Sequence, residues 1–281
     1  MGDVQVVGVP VGAVWSHACR LEDLVLPYAL PERATECLDL GLGWARRWTV
    51  TWKVGKSDVI VPVKDLSARP AMVSMPVRRF SWRTGQRHRP GLECLVSTGR
   101  QHGFESLAER WLLLVLDFVG GFDEVLSQPF RLRFSSSEGK GSHIPDFLVL
   151  AAGASWLVDV RPGGLIGEED EVRFAAAARV AAAAGWRYMV VTGWRRQVLA
   201  TIDALSVRRR PMADPLGLER QLLAAVGQRP WLFGELVGQT HVEAVARTHA
   251  VRLLWLRRMA VDLTLPFGDE SWVYPAGELD G

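Results

Sequence analysis

The chain has 281 residues, a formal net charge of +2, 48% hydrophobic and 23% charged residues. This composition is typical of a soluble globular protein, and the length predicts two or three folding units. No apolar run reaches the ~18 residues that a membrane helix needs, and Met1-Gly2-Asp3-Val4 lacks the basic region of a signal peptide. We therefore expect no membrane partner and a cytoplasmic location. Cys19, Cys37 and Cys94 are far apart in the sequence and form no CxxC or Cys/His pair with the spacing of metal ligands, which argues against a thiolate zinc site.

The first 77 residues contain three β-like runs separated by turn signals. These runs are Val4–Val9, Trp48–Val54 and Val59–Val63, with a Gly-containing turn before the last one. No catalytic motif falls among them. We predict a small β-rich N-terminal region (residues 1–77), whose role the sequence does not indicate.

A basic stretch punctuated by Gly and Pro follows at residues 76–103. The arginines that are candidate DNA contacts are Arg78, Arg79, Arg83, Arg87 and Arg89. Two interpretations stay open. The stretch is either a solvated linker with aromatic anchors, or a DNA contact in which arginines neutralise backbone phosphates.

From Phe104 the apolar residues recur with a helical period as far as Phe118, and Gly120-Gly121 ends the helix. Strand-like runs, an alanine-rich helix and a further strand come next: Glu124–Phe134, Ile144–Leu150, Trp156–Arg161, Glu168–Ala184 and Trp186–Thr192. Acidic residues in the first turn of the second helix agree with the helix dipole. This order predicts a mixed α/β unit at residues 78–210.

A basic run, Arg208-Arg209-Arg210, marks the next boundary, and Arg208 and Arg209 are candidate DNA contacts. Residues 211–281 then show three helical segments, near Leu216–Val226, Pro230–Val237 and Val242–Arg258, followed by a hairpin-like stretch. Three helices and a hairpin form a winged-helix pattern. Such a module binds DNA or packs against a protein partner, and Arg247 on its third helix is a candidate DNA contact.

Two aspartates lie on strand-like runs that flank a short loop, 151–154. If Leu150 pairs with Ser155, the antiparallel register sets Asp146 directly opposite Asp159, on one face of the sheet. Two like charges so placed repel each other, and the repulsion is relieved by a proton or by a divalent cation such as Mg²⁺ or Mn²⁺. The alternative is structural: Asp146 caps a strand end, and Asp159 pairs with Arg161.

On the first helix, Glu105 and Glu109 are one turn apart and share a face. An exposed helical glutamate is usually only solvated. Glu109, however, lies at the edge of the apolar stripe that continues into Leu112.

Glu109, Ile144-Pro145-Asp146-Phe147 and Leu157-Val158-Asp159-Val160-Arg161 together resemble the E…PD…(D/E)xK signature of restriction-endonuclease-like enzymes. A longer ordered set is similar to the TnsA family, the endonuclease subunits of bacterial heteromeric transposases. This set is Gly103-Phe104-Glu105-Ser106-Leu107-Ala108-Glu109-Arg110, Ser127-Gln128-Pro129-Phe130, His143-Ile144-Pro145-Asp146-Phe147 and Val158-Asp159-Val160-Arg161-Pro162. The resemblance covers about residues 78–205.

The resemblance implies a restriction-endonuclease-like mixed sheet flanked by helices, with a winged-helix-like tail. It also implies that Glu109, Asp146 and Asp159 hold Mg²⁺ or Mn²⁺ and that the enzyme cleaves the 5′ ends of transposon strands. A DDE transposase subunit and a regulatory ATPase are the implied protein partners in a bacterial cytoplasm, and double-stranded DNA is the implied substrate.

One position departs from the family pattern, because Arg161 stands where the family has lysine. Arginine also stabilises charge but is a larger, planar and permanently protonated group. The sequence therefore leaves open an active endonuclease or a non-catalytic DNA-binding or assembly subunit; a stand-alone defence nuclease is a third possibility. Glu105, Gln128 and His143 are possible supporting residues. Gln128 either orients a phosphate or merely ends a strand, and His143 either contacts DNA or a metal-bound water or is a surface or packing residue.

Overall fold

The computed structural model describes residues 12–68, 75–78 and 90–277. The predicted run Val4–Val9 and the candidate DNA contacts Arg79, Arg83, Arg87 and Arg89 lie outside the described residues. The described chain is a mixed α/β protein that divides into two units. One unit holds residues 26–113 and 121–193, and the other holds 12–25, 114–120 and 194–277.

The α-helices of the described ranges are α1 (Leu21–Leu24), α2 (Glu32–Glu36), α3 (Trp44–Arg47), α4 (Leu107–Val119), α5 (Glu168–Ala183), α6 (Arg196–Ser206), α7 (Leu218–Val226), α8 (Phe233–Gly238) and α9 (Glu243–Trp255). The strands are β1 (Val25–Pro27), β2 (Thr49–Val54), β3 (Ser57–Pro62), β4 (Gly91–Leu95), β5 (Arg100–Phe104), β6 (Glu124–Ser127), β7 (Phe130–Ser136), β8 (Gly139–His143), β9 (Phe147–Leu150), β10 (Trp156–Val160), β11 (Arg187–Trp194), β12 (Trp231–Leu232), β13 (Met259–Ala260) and β14 (Trp272–Pro275). In the parts of the chain that the structure describes, no helix has the length and apolar character to cross a membrane.

A five-stranded sheet forms the centre of the first unit, in the order β1-β11-β10-β9-β6. Strand β10 runs parallel to β11 and antiparallel to β9. The β9–β10 register pairs Val149 with Trp156 and Phe147 with Val158. This is the register that the four-residue loop predicts, and it brings positions 146 and 159 to the same end of the hairpin.

A second sheet of this unit has the order β3-β2-β7-β8, with every neighbouring pair antiparallel. Strands β2 and β3 come from the stretch predicted as a separate N-terminal region, 1–77, yet β2 is hydrogen-bonded to β7 of the predicted catalytic region. A strand presents unpaired backbone groups along its edge, so it joins whichever sheet satisfies them. The observed units therefore do not follow the predicted boundaries at 77/78 and 210/211.

The run Glu124–Phe134, predicted as one strand, is two strands that belong to different sheets. The break lies at Gln128-Pro129, where Gln128 has a φ of 48°, in the left-handed region. Pro129 has no backbone N–H to donate, so a continuous ladder cannot pass through it. Strand β8 and the hairpin β4–β5 were not predicted either, and Phe104 ends β5 instead of beginning α4.

Helix α5 covers one face of the central sheet with small side chains. Ala175, Ala176, Ala177 and Ala181 are buried there in one apolar cluster with Leu148 and Leu157 of the hairpin. Alanine lets the helix backbone approach the strands closely, at little entropic cost. The helix begins with four acidic residues and ends before Gly185, whose φ of 73° suits only glycine easily.

The second unit is mainly helical and carries a small sheet in the order β12-β14-β13. Helices α7, α8 and α9 match the three segments predicted from periodicity, whereas α6, directly before the basic run at 208–210, was not predicted. Asp214 accepts hydrogen bonds from the amides of Leu218 (2.8 Å) and Glu219 (2.9 Å) and so caps the start of α7.

Candidate functional site

A cavity of about 770 Å³ in the first unit brings together the three carboxylates that the sequence singles out. All three line the cavity: Glu109 lies in the first turn of α4, Asp146 directly precedes β9, and Asp159 lies on β10. Further lining residues include Arg78, Glu105, Arg131, His143, Arg161, Asp170, Arg173 and Phe174. One helix and one hairpin thus place three acidic groups around one open space.

The hairpin register explains why the two aspartates meet. Its last paired residues are Phe147 and Val158, so the next position along each strand is Asp146 and Asp159. Alternation along β10 turns Asp159 to the same face as Leu157, which packs under α5. The carboxylate is consequently 2% exposed, at the end of an apolar stripe.

Each carboxylate of the cavity has its own hydrogen-bond donors. Asp146 Oδ2 accepts from the Val160 amide at 2.7 Å. Glu109 accepts from the Glu105 amide at 2.7 Å and from the Ser106 hydroxyl at 2.8 Å, and its own amide bonds that hydroxyl. These bonds fix the carboxylates individually but do not neutralise their charge.

The pKa values of Asp146 and Glu109 reflect their burial and their proximity to other acids. Burial raises the pKa of Asp146 well above its usual range, and the charges of Asp159 and Glu109 raise it further, against the opposing effect of the Val160 amide. Burial also raises the pKa of Glu109, with Glu105 and Asp159 adding to the rise and the Glu105 and Ser106 donors opposing it. Burial and the neighbouring carboxylates therefore both disfavour the charged forms of these two acids.

Asp159 is held by two side chains from other strands. His143 Nε2, at the end of β8, lies 3.0 and 3.1 Å from its two oxygens, and the Tyr188 hydroxyl donates to Oδ2 at 2.7 Å. The His143 ring packs edge-on against Phe174 of α5. Burial and the neighbouring Asp159 raise the pKa of Tyr188 well above its usual value, so this hydroxyl remains a donor.

Arg161 lines the cavity but is engaged at its rim. Its guanidinium lies 3.4 Å from Asp170 Oδ2 on α5, and its Nε donates to the Leu165 carbonyl at 3.4 Å. The structural alternative for Asp159, an ion pair with Arg161, is therefore not the arrangement observed. Glu105 is also at the rim, where Arg78 Nη1 lies 3.7 Å from its carboxylate.

Gln128 does not line the cavity, although its backbone supports it. The Gln128 amide donates to the Asp146 carbonyl at 2.7 Å, which anchors the residue before β9. Its side chain is buried, and its Oε1 has no hydrogen-bond partner within the described ranges.

Two of the three predicted DNA contacts of the second unit, Arg209 and Arg247, lie near carboxylates of the same unit. Arg209 Nε lies 3.7 Å from the buried Asp117 carboxylate, and Arg247 forms ion pairs with Asp269 and Glu243. Arg208 is exposed. Of the predicted DNA-binding arginines that the structure describes, only Arg78 reaches the carboxylate cavity.

The donor set of the cavity suits a hard divalent cation. Carboxylate oxygens are the ligands that Mg²⁺ and Mn²⁺ prefer, and a bound cation would stabilise the charged forms of Asp146 and Glu109, whose pKa values burial and the neighbouring acids raise. As they are oriented, the described side chains include no group of three or more His, Cys, Asp or Glu residues that could hold a metal ion. Glu109, Asp146 and Asp159 would therefore have to reorient from their present hydrogen bonds in order to share one.

Comparison with known proteins adds no assignment to this geometry. No protein-family model matches the chain, and the comparison with curated proteins finds no match.

Proposed function

We propose that this protein is a metal-dependent DNA endonuclease, the strand-cleaving subunit of a heteromeric transposase of the TnsA type. The observation that carries the proposal is the convergence of Glu109, Asp146 and Asp159 on one open cavity. The three come from positions that resemble the E…PD…(D/E)xK signature. A DDE transposase and a regulatory ATPase are the proposed protein partners, and transposon ends in double-stranded DNA are the proposed substrate.

The arrangement of elements supports a restriction-endonuclease-like core. A helix that supplies one acid, an antiparallel hairpin that supplies two, and a crossover helix leading to a parallel strand occur here as α4, β9–β10, and α5–β11. Helices α7 to α9 with the sheet β12-β14-β13 fit a winged-helix module. We propose both as the fold assignments of the two units.

In the proposed reaction, the side chains of the cavity have different roles. Asp146, Asp159 and Glu109 would hold one or two Mg²⁺ or Mn²⁺ ions, which supply positive charge to a phosphodiester and lower the pKa of a bound water. The Val160 amide binds one Asp146 oxygen and leaves the other for a ligand. His143 and Tyr188 limit the rotation of Asp159. Arg131 lines the same cavity and would offer positive charge to the DNA backbone, whereas Arg173 of the same lining pairs with Glu169 and Asp170.

A second candidate function is a non-catalytic DNA-binding or assembly subunit that keeps the fold as a scaffold. It is favoured by Arg161, which points its guanidinium to Asp170 and occupies the place of the family's lysine. An ion pair to α5 is a structural role, which engages the Arg161 guanidinium away from the three carboxylates.

The test of the nuclease proposal is cleavage of duplex DNA by the purified full chain in Mn²⁺. We expect cleavage to fall at least about 100-fold in Asp146→Ala, because a lost charge-stabilising group costs several kcal/mol of transition-state energy. The matched control is Asp58→Ala, an exposed aspartate on β3 outside the cavity, which should cleave like the parent. Equal activity of the two variants, or no Mn²⁺ binding by the parent, would overturn the proposal.

The variant Arg161→Lys separates the two candidate functions. If the parent cleaves, the change should alter the rate only modestly. If the parent is inactive and Arg161→Lys creates Mn²⁺-dependent cleavage that Asp146→Ala removes, the chain is a scaffold that has lost its catalytic cation. A DDE transposase gene next to the gene for this chain would support the proposed partners.

A further inference from the structure

A second cavity lies in the same unit, next to the first. It has a volume of about 440 Å³ and is lined by Arg47, Thr49, Arg133, Phe134, Ser135, Lys140, Gly141 and Ser142. Three of these side chains are cations, three carry hydroxyls and none is a carboxylate. Ser142 lines both cavities, which places this basic cavity beside the carboxylates.

Strand alternation creates the basic cavity. Arg131 and Arg133 of β7 are two residues apart and share a face, while Leu132 between them is fully buried on the other face. Across the ladder, Arg133 is opposite Thr49 on one side and Ser142 on the other, and Ser135 is opposite Lys140. Arg131, which lines the carboxylate cavity, therefore begins a row of cations and hydroxyls that runs along the sheet.

The floor of the basic cavity is built for close approach. A Cβ added to Gly141 would lie 2.4 Å from Phe134 Cζ, so only glycine lets the buried Phe134 ring cross over this strand. The ring packs on Trp48 with centroids 5.7 Å apart, which fixes it in place. The strands that carry the cations are thus held by the core beneath them.

The three cations of this cavity differ in their internal ion pairs. Arg47 has one, since its Nη2 lies 3.0 Å from Asp39 Oδ1. Within the described portion of the chain, Arg133 and Lys140 pair with no carboxylate, and both are exposed. Unpaired cations with neighbouring hydroxyls are the groups that proteins direct to phosphate oxygens.

We propose that the basic cavity of Arg133, Lys140 and Arg47 binds the phosphodiester backbone of the DNA strand next to the phosphate that the carboxylates act on. The inference rests on the proposed function for its ligand, and on the two adjoining cavities for its geometry. The row from Arg131 to Lys140 then sets the direction in which a strand leaves the carboxylate cavity. Contacts of this kind position the backbone and read no sequence.

The test is the double variant Arg133→Gln/Lys140→Gln in the full chain. Neither residue lines the carboxylate cavity, so all side chains of that cavity stay as they are. Binding to a fluorescent DNA duplex is measured by anisotropy in EDTA, so that cleavage does not interfere, between about 50 and 200 mM KCl. The matched control is Lys56→Gln/Arg179→Gln, which removes two exposed cations from a turn and from α5, outside both cavities.

We expect the Arg133/Lys140 variant to bind roughly 10- to 50-fold more weakly at about 0.1 M salt, and its plot of log affinity against log salt to be less steep by about 1.8, that is about 0.9 for each lost phosphate contact. The control should keep the parent slope. Equal slopes in the two double variants would overturn the inference and leave the basic cavity to another anion, such as an acidic protein segment.

This result is independent of the nuclease assay. A reduced slope in a protein that cleaves nothing would uphold the basic cavity and refute the endonuclease. Normal cleavage together with an unchanged slope in the Arg133/Lys140 variant would uphold the endonuclease and refute the basic cavity. A parent protein that fails to bind duplex DNA even at about 50 mM KCl would overturn the inference.

Discussion

Asp159 is the most buried of the three acids, and both of its donors are side chains from other strands. It is 2% exposed and accepts from His143 and Tyr188. A buried carboxylate is costly unless donors surround it, and bonds to a charged group contribute more than bonds between neutral groups. The two donors therefore stabilise the acid in its present orientation, from which metal binding would require it to turn.

The variant Tyr188→Phe should lower the free energy of unfolding by roughly 1.5–3 kcal/mol, because Asp159 loses a donor to a buried charge. Urea denaturation measures this value. The control is Tyr274→Phe, since the Tyr274 ring packs on Trp15 and its hydroxyl has no partner among the described residues. In the background Asp159→Asn the effect of Tyr188→Phe should shrink. Equal losses in the two tyrosine variants would refute the role of the hydroxyl.

The sequence predicts some of these residues for a simple reason. Asp146 and Asp159 are separated by a short loop, so pairing rules fix their register without knowledge of the rest of the chain. Tyr188 is 29 residues from Asp159 and reaches it across a parallel strand pair. Nothing local distinguishes a strand tyrosine that donates to a carboxylate from one that only packs, so this residue was not predicted.

At the scale of elements, the break at Gln128-Pro129 organises the site more than any single strand does. It sends β6 into the central sheet and β7 into the second sheet, which carries the basic row. The Gln128 amide also holds the Asp146 carbonyl. A left-handed residue before proline is strained, and such strain persists where the surrounding contacts compensate it.

Helix α7 offers a test of an element with a defined pH dependence. Burial alone would raise the pKa of Asp214, but the amides of Glu219 and Leu218, the His249 charge and the Gly217 amide together lower it below its usual value of 3.8. An acid whose pKa is lower in the folded state stabilises the fold above its unfolded pKa. This contribution is lost as the pH falls through the folded pKa.

Asp214→Ala should therefore destabilise the protein by about 1 kcal/mol near pH 7, the usual contribution of a helix cap. The difference from the parent should shrink as the pH falls below 3.8. Denaturation at a series of pH values measures it. Asp203→Ala, an exposed aspartate on α6, should show little change at any pH. A pH-independent difference for Asp214→Ala would contradict the capping role.

For the whole molecule, the small net charge of +2 hides an uneven local distribution. The larger cavity is lined by carboxylates and arginines together, whereas the basic cavity beside it is lined by cations without a carboxylate. A surface with charge of one sign attracts ligands of the opposite charge, so the basic cavity favours a polyanion. The proposed metal-assisted enzyme would use the acids for the cation and the basic cavity for DNA.

Mn²⁺ should stabilise the parent protein by mass action, by about 2.7 kcal/mol when its concentration is 100 times the dissociation constant. Calorimetry should show a rise in Tm that depends on the Mn²⁺ concentration. Asp146→Asn should lose most of this rise, whereas Asp58→Asn on the exposed β3 should keep it. The same rise in both variants would place the bound metal outside the cavity and contradict the proposed centre.

Local patterns in the sequence predict the helices α4, α5, α7, α8 and α9 and the hairpin β9–β10, because periodicity, short loops and terminal glycines act over a few residues. They also predict the two opposed aspartates. The pairing of β2 with β7 and the meeting of Tyr188 with Asp159 join residues that are distant along the chain. These follow from which strand edges and faces find partners in three dimensions, a choice that depends on the whole chain and that no local pattern encodes.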